Sequence, residues 1–184
     1  NEYASSLGTK LIVDVFGEKS LVTAENTGIN TVKVHGTDVT NLSLLEAISN
    51  SSIENVILGV GGAYWSEIEK ALKVLRSKII VLLCGFQGYP TKTKDNHIVR
   101  MNVIKERAKA IHKNFKVGFA DHPREDKFAS TFCLVAIGAG AEVIEKHLTL
   151  GKVMEMEDFE SALNPDEFQE FIIQSKIGKK AMGN

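Results

Sequence analysis

Lys116-Val117-Gly118-Phe119-Ala120-Asp121-His122 and, further on, Val143-Ile144-Glu145-Lys146-His147 decide how this chain is read. Both runs are short, apolar, and rich in β-branched or aromatic residues, which marks strands rather than helices. Both end on a histidine with a carboxylate close by. Between them, Phe128 to Ile137 reads as a buried helix. A strand–helix–strand unit makes neighbouring parallel strands, so His122 and His147 belong at the same end of one sheet. Two readings of that pair stand side by side: a divalent-metal site, or two strand-end histidines held by hydrogen bonds.

Outward from these runs the alternation continues. Leu11–Phe16, Thr31–Gly36, Asn55–Gly61 and Ile79–Gly85 are further strand candidates. Most are nearly continuously apolar, as parallel strands covered on both faces are. Ile68, Ala71, Leu72 and Leu75 recur at helical spacing, as do Ile104, Ala108 and Ile111. Leu44, Leu45 and Ile48 follow Asn41, a candidate N-cap. The last helix has a start signal in Asn164, Pro165 and Glu167, with Phe168, Phe171, Ile172 and Ser175 on one stripe. Six βα units in one domain over residues 1–184 suggest either a (β/α)8 barrel short of two units or an open doubly wound sheet. Gly59-Val60-Gly61-Gly62 is only a partial phosphate-loop pattern, and no dinucleotide fingerprint follows the first strand. In either fold, chemistry collects at the carboxyl ends of the strands. There the sequence places Lys33, His35, Asp38, Tyr89, Asp121, His122, Glu145 and His147, a polar rim for a structural sheet.

Composition narrows the function. The 184 residues are 43% hydrophobic with a net charge of -1, ordinary for a globular domain. No basic stripe or run of like charge appears, which argues against nucleic acid as the partner. Cys84 and Cys133 lie in apolar runs without metal or redox spacing, and are expected to be reduced core thiols of a cytoplasmic protein. No apolar stretch reaches membrane-spanning length. Of the remaining histidines, His97 and His112 are expected on helices, facing solvent.

Four segments then resemble the sialic acid synthase family, which makes N-acetylneuraminic, legionaminic and pseudaminic acids. They are Gly88-Tyr89-Pro90-Thr91, Gly118 to His122, Gly138 to Leu150 with Ile144-Glu145-Lys146-His147 at its centre, and Ser161 to Glu167. Lys33 to Leu45 and Asn55 to Ala71 are similar to its fourth and fifth barrel units. The resemblance implies a (β/α)8 barrel that condenses phosphoenolpyruvate with an N-acylated amino-sugar aldehyde and releases phosphate. It also implies a fragment, lacking the first two βα units and the antifreeze-like domain that lids the site. The full-length protein is then expected to be a homodimer.

The same resemblance implies roles. His122 and His147 would hold a divalent cation, manganese first, with magnesium or cobalt as alternatives. Such a cation polarises the aldehyde as a Lewis acid. Lys33 would meet the phosphoenolpyruvate anion, an arrangement that also explains a lysine inside an apolar strand; a salt bridge to Asp38 is the competing reading. Asp38 and Glu145 are candidate proton carriers. Gln87, Tyr89 and Asp158 are candidate substrate contacts. Gly36 and Gly59 stand with Ala120 where many members have serine, so backbone N–H groups would have to cradle the anion. Phe159 replaces a common histidine. Asp121 has the opposite parity to His122 and reads equally as a salt bridge or cap. These departures keep two alternatives open: a metal-dependent aldolase or lyase on the same scaffold, and a non-catalytic barrel that binds a sugar or a partner.

Overall fold

The computed structural model describes residues 1–86, 88–123 and 130–183. Among these residues the chain runs α1 (Glu2–Ser6), β1 (Val13–Asp14), α2 (Glu18–Asn26), β2 (Thr31–Val34), α3 (Leu42–Asn50), β3 (Asn55–Gly59), α4 (Trp65–Val74) and β4 (Ile79–Cys84). It continues through α5 (Arg100–Ala108), β5 (Phe115–Ala120), α6 (Thr131–Gly138), β6 (Val143–Glu145) and α7 (Pro165–Ala181). The strands follow one another in the sheet in chain order, β1 to β6. The pairs β1–β2, β2–β3, β3–β4 and β5–β6 are parallel. A doubly wound sheet reverses its strand order at a switch point. Here no reversal occurs, so the α/β fold is of the (β/α)8 type.

The described residues form two compact units: Asn1–Leu83 with Ile104–Lys116, and Cys84–Val103 with Val117–Asn184. In the first unit, Val32, Val34, Val56, Leu58, Ile80 and Leu82 are fully buried in the strands. Ile68, Ala71 and Leu72 of α4 and Leu75 at its cap are buried too, as the spacing predicts. Asn41 accepts from the Leu44 N–H at 3.2 Å and so starts α3, whose Leu44, Leu45 and Ile48 are buried. In the second unit, Cys133 of α6, Leu163 and Phe171 of α7 form a core with Ile144 and Phe168 packed on it. Glu167 accepts from the Asn164 N–H at 2.8 Å, closing the start of α7.

Several expectations change. β1 is much shorter than Leu11–Phe16: Leu11 and Ile12 are half-exposed, and only Val13 and Asp14 enter the ladder with β2, closed by the Val15 N–H donating to the Lys33 carbonyl at 2.9 Å. α1 and α2 carry no strong apolar period; α2 buries only Leu21 and Ala24. Ile172 was expected on the buried stripe of α7 but is exposed, while Phe171 one position earlier is buried. α6 is buried on one side only, with Val135 exposed. The start of the expected helix, Phe128 and Ala129, lies outside the described residues. His112 is not solvated: it is buried past the end of α5, its Nε2 is 3.3 Å from the Leu75 carbonyl, and its Nδ1 accepts from the Asn114 N–H. His97 is exposed as expected, but sits in the turn before α5 rather than on a helix.

Candidate functional site

The β5–β6 ladder pairs Gly118 with Val143, Phe119 with Ile144 and Ala120 with Glu145. Continuing that register past the strand ends pairs Asp121 with Lys146 and His122 with His147. The side chains alternate in face, so the two pairs separate. On one face the imidazoles of His122 and His147 lie with ring centroids 5.0 Å apart. On the other, Lys146 Nζ donates to Asp121 Oδ1 at 2.9 Å, both side chains almost wholly buried. Of the two readings of Asp121, the salt bridge is the one that forms. Lys146 was not singled out in the sequence, although its offset of 25 from Asp121 equals that of His147 from His122.

Both histidine backbones are anchored from their outer sides. The Thr91 N–H donates to the His122 carbonyl at 2.7 Å, and the Leu163 N–H to the His147 carbonyl at 2.9 Å. His147 Nδ1 faces Asp158 Oδ2 at 3.8 Å. Its Nε2 is buried and has no hydrogen-bond partner in the structure. With the ring proton on Nδ1, toward Asp158, Nε2 presents a bare lone pair beside a second imidazole. That fits a divalent cation, since neutral imidazole is a good ligand for manganese-like ions and a nearby carboxylate favours this tautomer. Among the described residues no group of three His, Cys, Asp or Glu side chains converges. The described residues therefore offer a pair of imidazole donors.

Tyr89 stands over this pair, its ring edge-on to His122 at 6.1 Å and its hydroxyl donating to Glu160 Oε2 at 2.7 Å. Burial first, and then the bond to Glu160, raise the Tyr89 hydroxyl above its usual range. Asp158 adopts a left-handed φ of 61° in the loop that also carries Glu160. The structure thus gathers His122, His147, Tyr89, Asp158 and, at the end of β6, Glu145 within one unit. Glu160 joins them unforeseen, because loop carboxylates carry no periodic signal. Burial pushes the Asp121 carboxyl up, and the Lys146 ammonium pulls it back. Burial also drives the Cys133 thiol far up, with the Asp121 charge adding to it, so Cys133 stays a neutral core thiol. Cys84 is likewise pushed up to about 11 by burial.

The other candidates lie in the first unit. Lys33 on β2 sits opposite Asp14 of β1 in the ladder, with Nζ 3.8 Å from Asp14 Oδ2. The expected competing partner, Asp38, instead accepts from Asn41 Nδ2 at 3.3 Å in a 3-10 turn over Gly36–Asp38, and so steadies the cap of α3. His35 caps that turn, accepting from the Thr37 N–H. Gly59 closes β3 against this turn: a Cβ there would lie 2.6 Å from the Gly36 nitrogen. The missing serine at Gly59 is therefore a packing requirement of this chain. Gln87 lies outside the described residues.

Sequence and fold similarity to known proteins place the chain in a family. The NeuB family model matches residues 1–184. An uncharacterised protein of Methanocaldococcus jannaschii is 32% identical over all of this chain and 52% of its own length. The N,N'-diacetyllegionaminic acid synthase of Campylobacter jejuni is 33% identical over 85% of this chain and 46% of its own. The crystal structure of the N-acetylneuraminic acid synthetase of Leptospira borgpetersenii, in complex with citrate, superimposes with a TM-score of 0.89 at 26% identity, covering 100% of this chain and 61% of that one. The chain spans about half the length of the curated relatives it matches.

Proposed function

The chain belongs to the NeuB family, and on that premise we propose that it carries the catalytic half of a phosphoenolpyruvate-dependent synthase of nonulosonic, sialic-type acids. The observation that carries the reading is the pair of imidazoles 5.0 Å apart, with the buried His147 Nε2 unpartnered. On this reading His122 and His147 hold a divalent cation, manganese first. Such a cation supplies Lewis-acid polarisation of the amino-sugar aldehyde.

The chain's own residues do the rest. Asp158 orients His147 through Nδ1 and offers its second carboxylate oxygen to a sugar hydroxyl. Tyr89, tethered by Glu160, forms an apolar wall with a polar tip on which a sugar ring can rest. Glu145 shares the face of His147 and is placed to hold or relay a proton of the sugar. Lys33 neutralises a carboxylate or phosphate oxygen of phosphoenolpyruvate; its ammonium lies 3.8 Å from Asp14 Oδ2. Gly36 and Gly59 bring bare backbone close together, where N–H groups can serve an anion in place of serine hydroxyls. Asp38, engaged with Asn41, acts on this reading as acid or base only when that amide gives way.

The test is phosphate release by the full-length protein given phosphoenolpyruvate, manganese and a panel of N-acylated amino sugars, beginning with N-acetylmannosamine. Release that needs both the sugar and the metal is expected. Manganese binding without release from any sugar would contradict the synthase reading and favour a metal-dependent aldolase or lyase or, with no turnover of any kind, a non-catalytic barrel that binds a sugar or a partner.

A further inference from the structure

We propose that Asp121 and Lys146 are positioning residues that lock β6 against β5 in the one register that sets His122 opposite His147; the inference rests on the metal reading above. The two strands share only three ladder pairs, and β6 is three residues long and half-buried throughout. Register is weakly specified in so short a strand: Ile144, packed on the Cys133–Leu163–Phe171 core, is its one core contact, and no residue of β6 is fully buried. One step past the ladder the chain places a buried ion pair at 2.9 Å, with side chains 1% and 0% exposed. A slip of one residue would strand an ammonium and a carboxylate in the interior. Stranded charges are far more unfavourable than an intact pair is favourable, and registry is the best-attested use of such pairs.

The next step along the same register is the imidazole pair. The slip that the ion pair penalises is therefore the slip that would offset the two metal-facing rings. The outer anchors do not do this work. Thr91 holds His122 and Leu163 holds His147, each from its far side, so neither bond ties one histidine to the other. Asp121 and Lys146 lie on the opposite face from the imidazoles and act through the backbone. They are not placed to touch substrate.

The experiment measures manganese binding to the full-length protein by electron paramagnetic resonance, with thermal unfolding followed on the same samples. Asp121→Leu combined with Lys146→Met removes both charges without stranding either, and such replacements can keep or raise stability. This folded variant is expected to bind manganese at least about tenfold more weakly, as loss of a supporting partner of a ligand does. Lys146→Arg keeps the pair and is expected to retain wild-type affinity. Wild-type affinity in the apolar pair overturns the inference. So does a folded Lys146→Arg protein with affinity lost, an outcome that decides even where the apolar pair does not fold. A wild-type protein that binds no manganese, or a His122→Ala/His147→Ala protein that binds it unchanged, overturns the metal reading and the inference together.

Discussion

Gly59 has no room for a side chain. A Cβ there meets backbone, the Gly36 nitrogen at 2.6 Å and Cα at 3.0 Å, and backbone cannot rotate away. Gly59→Ser, which restores the residue common in the family, is expected to cost about 1–3 kcal/mol of stability, as overpacking does. Chemical denaturation reads this directly, and a serine variant as stable as the parent would show the contact to be soft. The sequence showed the departure but not its cause, because the contact joins two segments that only the fold brings together. Lys33 was legible as a cation needing an anion, but its resting partner was not. Asp14 and Lys33 face each other only through the β1–β2 register. On the proposed reading, Lys33→Ala raises the Michaelis constant for phosphoenolpyruvate at least about tenfold, the loss of a charge-assisted contact of roughly 1.5 kcal/mol or more, and leaves that for the sugar nearly unchanged. Equal changes in both constants would assign Lys33 to structure alone.

Elements were legible wherever the apolar period was strong. β3, β4 and β5 are nearly continuous apolar runs, and the faces of α3 and α4 fall where the spacing puts them. α2 escaped because two buried residues make no period. α7 shows the limit from the other side: Phe168, Phe171 and Ser175 of the expected stripe are at least partly buried, but Ile172, at its margin, faces solvent. Phe171 packs with Cys133 and Leu163, against Ile144 of β6. Phe171→Ala is expected to cost about 3 kcal/mol, and Ile172→Ala less than about 1 kcal/mol. Equal losses in thermal denaturation would mean that α7 is turned differently about its axis.

For the molecule as a whole, strand order carries the fold assignment. Among the described residues six strands in chain order leave no switch point, and NeuB family membership over residues 1–184 accords with that. The candidate site was half legible. The two histidines could be placed at one sheet end from βαβ logic alone, and the register then puts them side by side. Glu160 and Lys146 could not be found that way: one sits on an irregular loop, and the other is an ordinary lysine until its offset from Asp121 is measured against that of the histidines. Everything proposed for this protein turns on what lies between those two rings. The most direct measurement is an anomalous difference map from a crystal of the full-length protein grown with manganese. The account predicts a peak within coordination distance of His147 Nε2 and of the His122 ring. A well-ordered site with no peak there, or manganese bound only elsewhere, would contradict it.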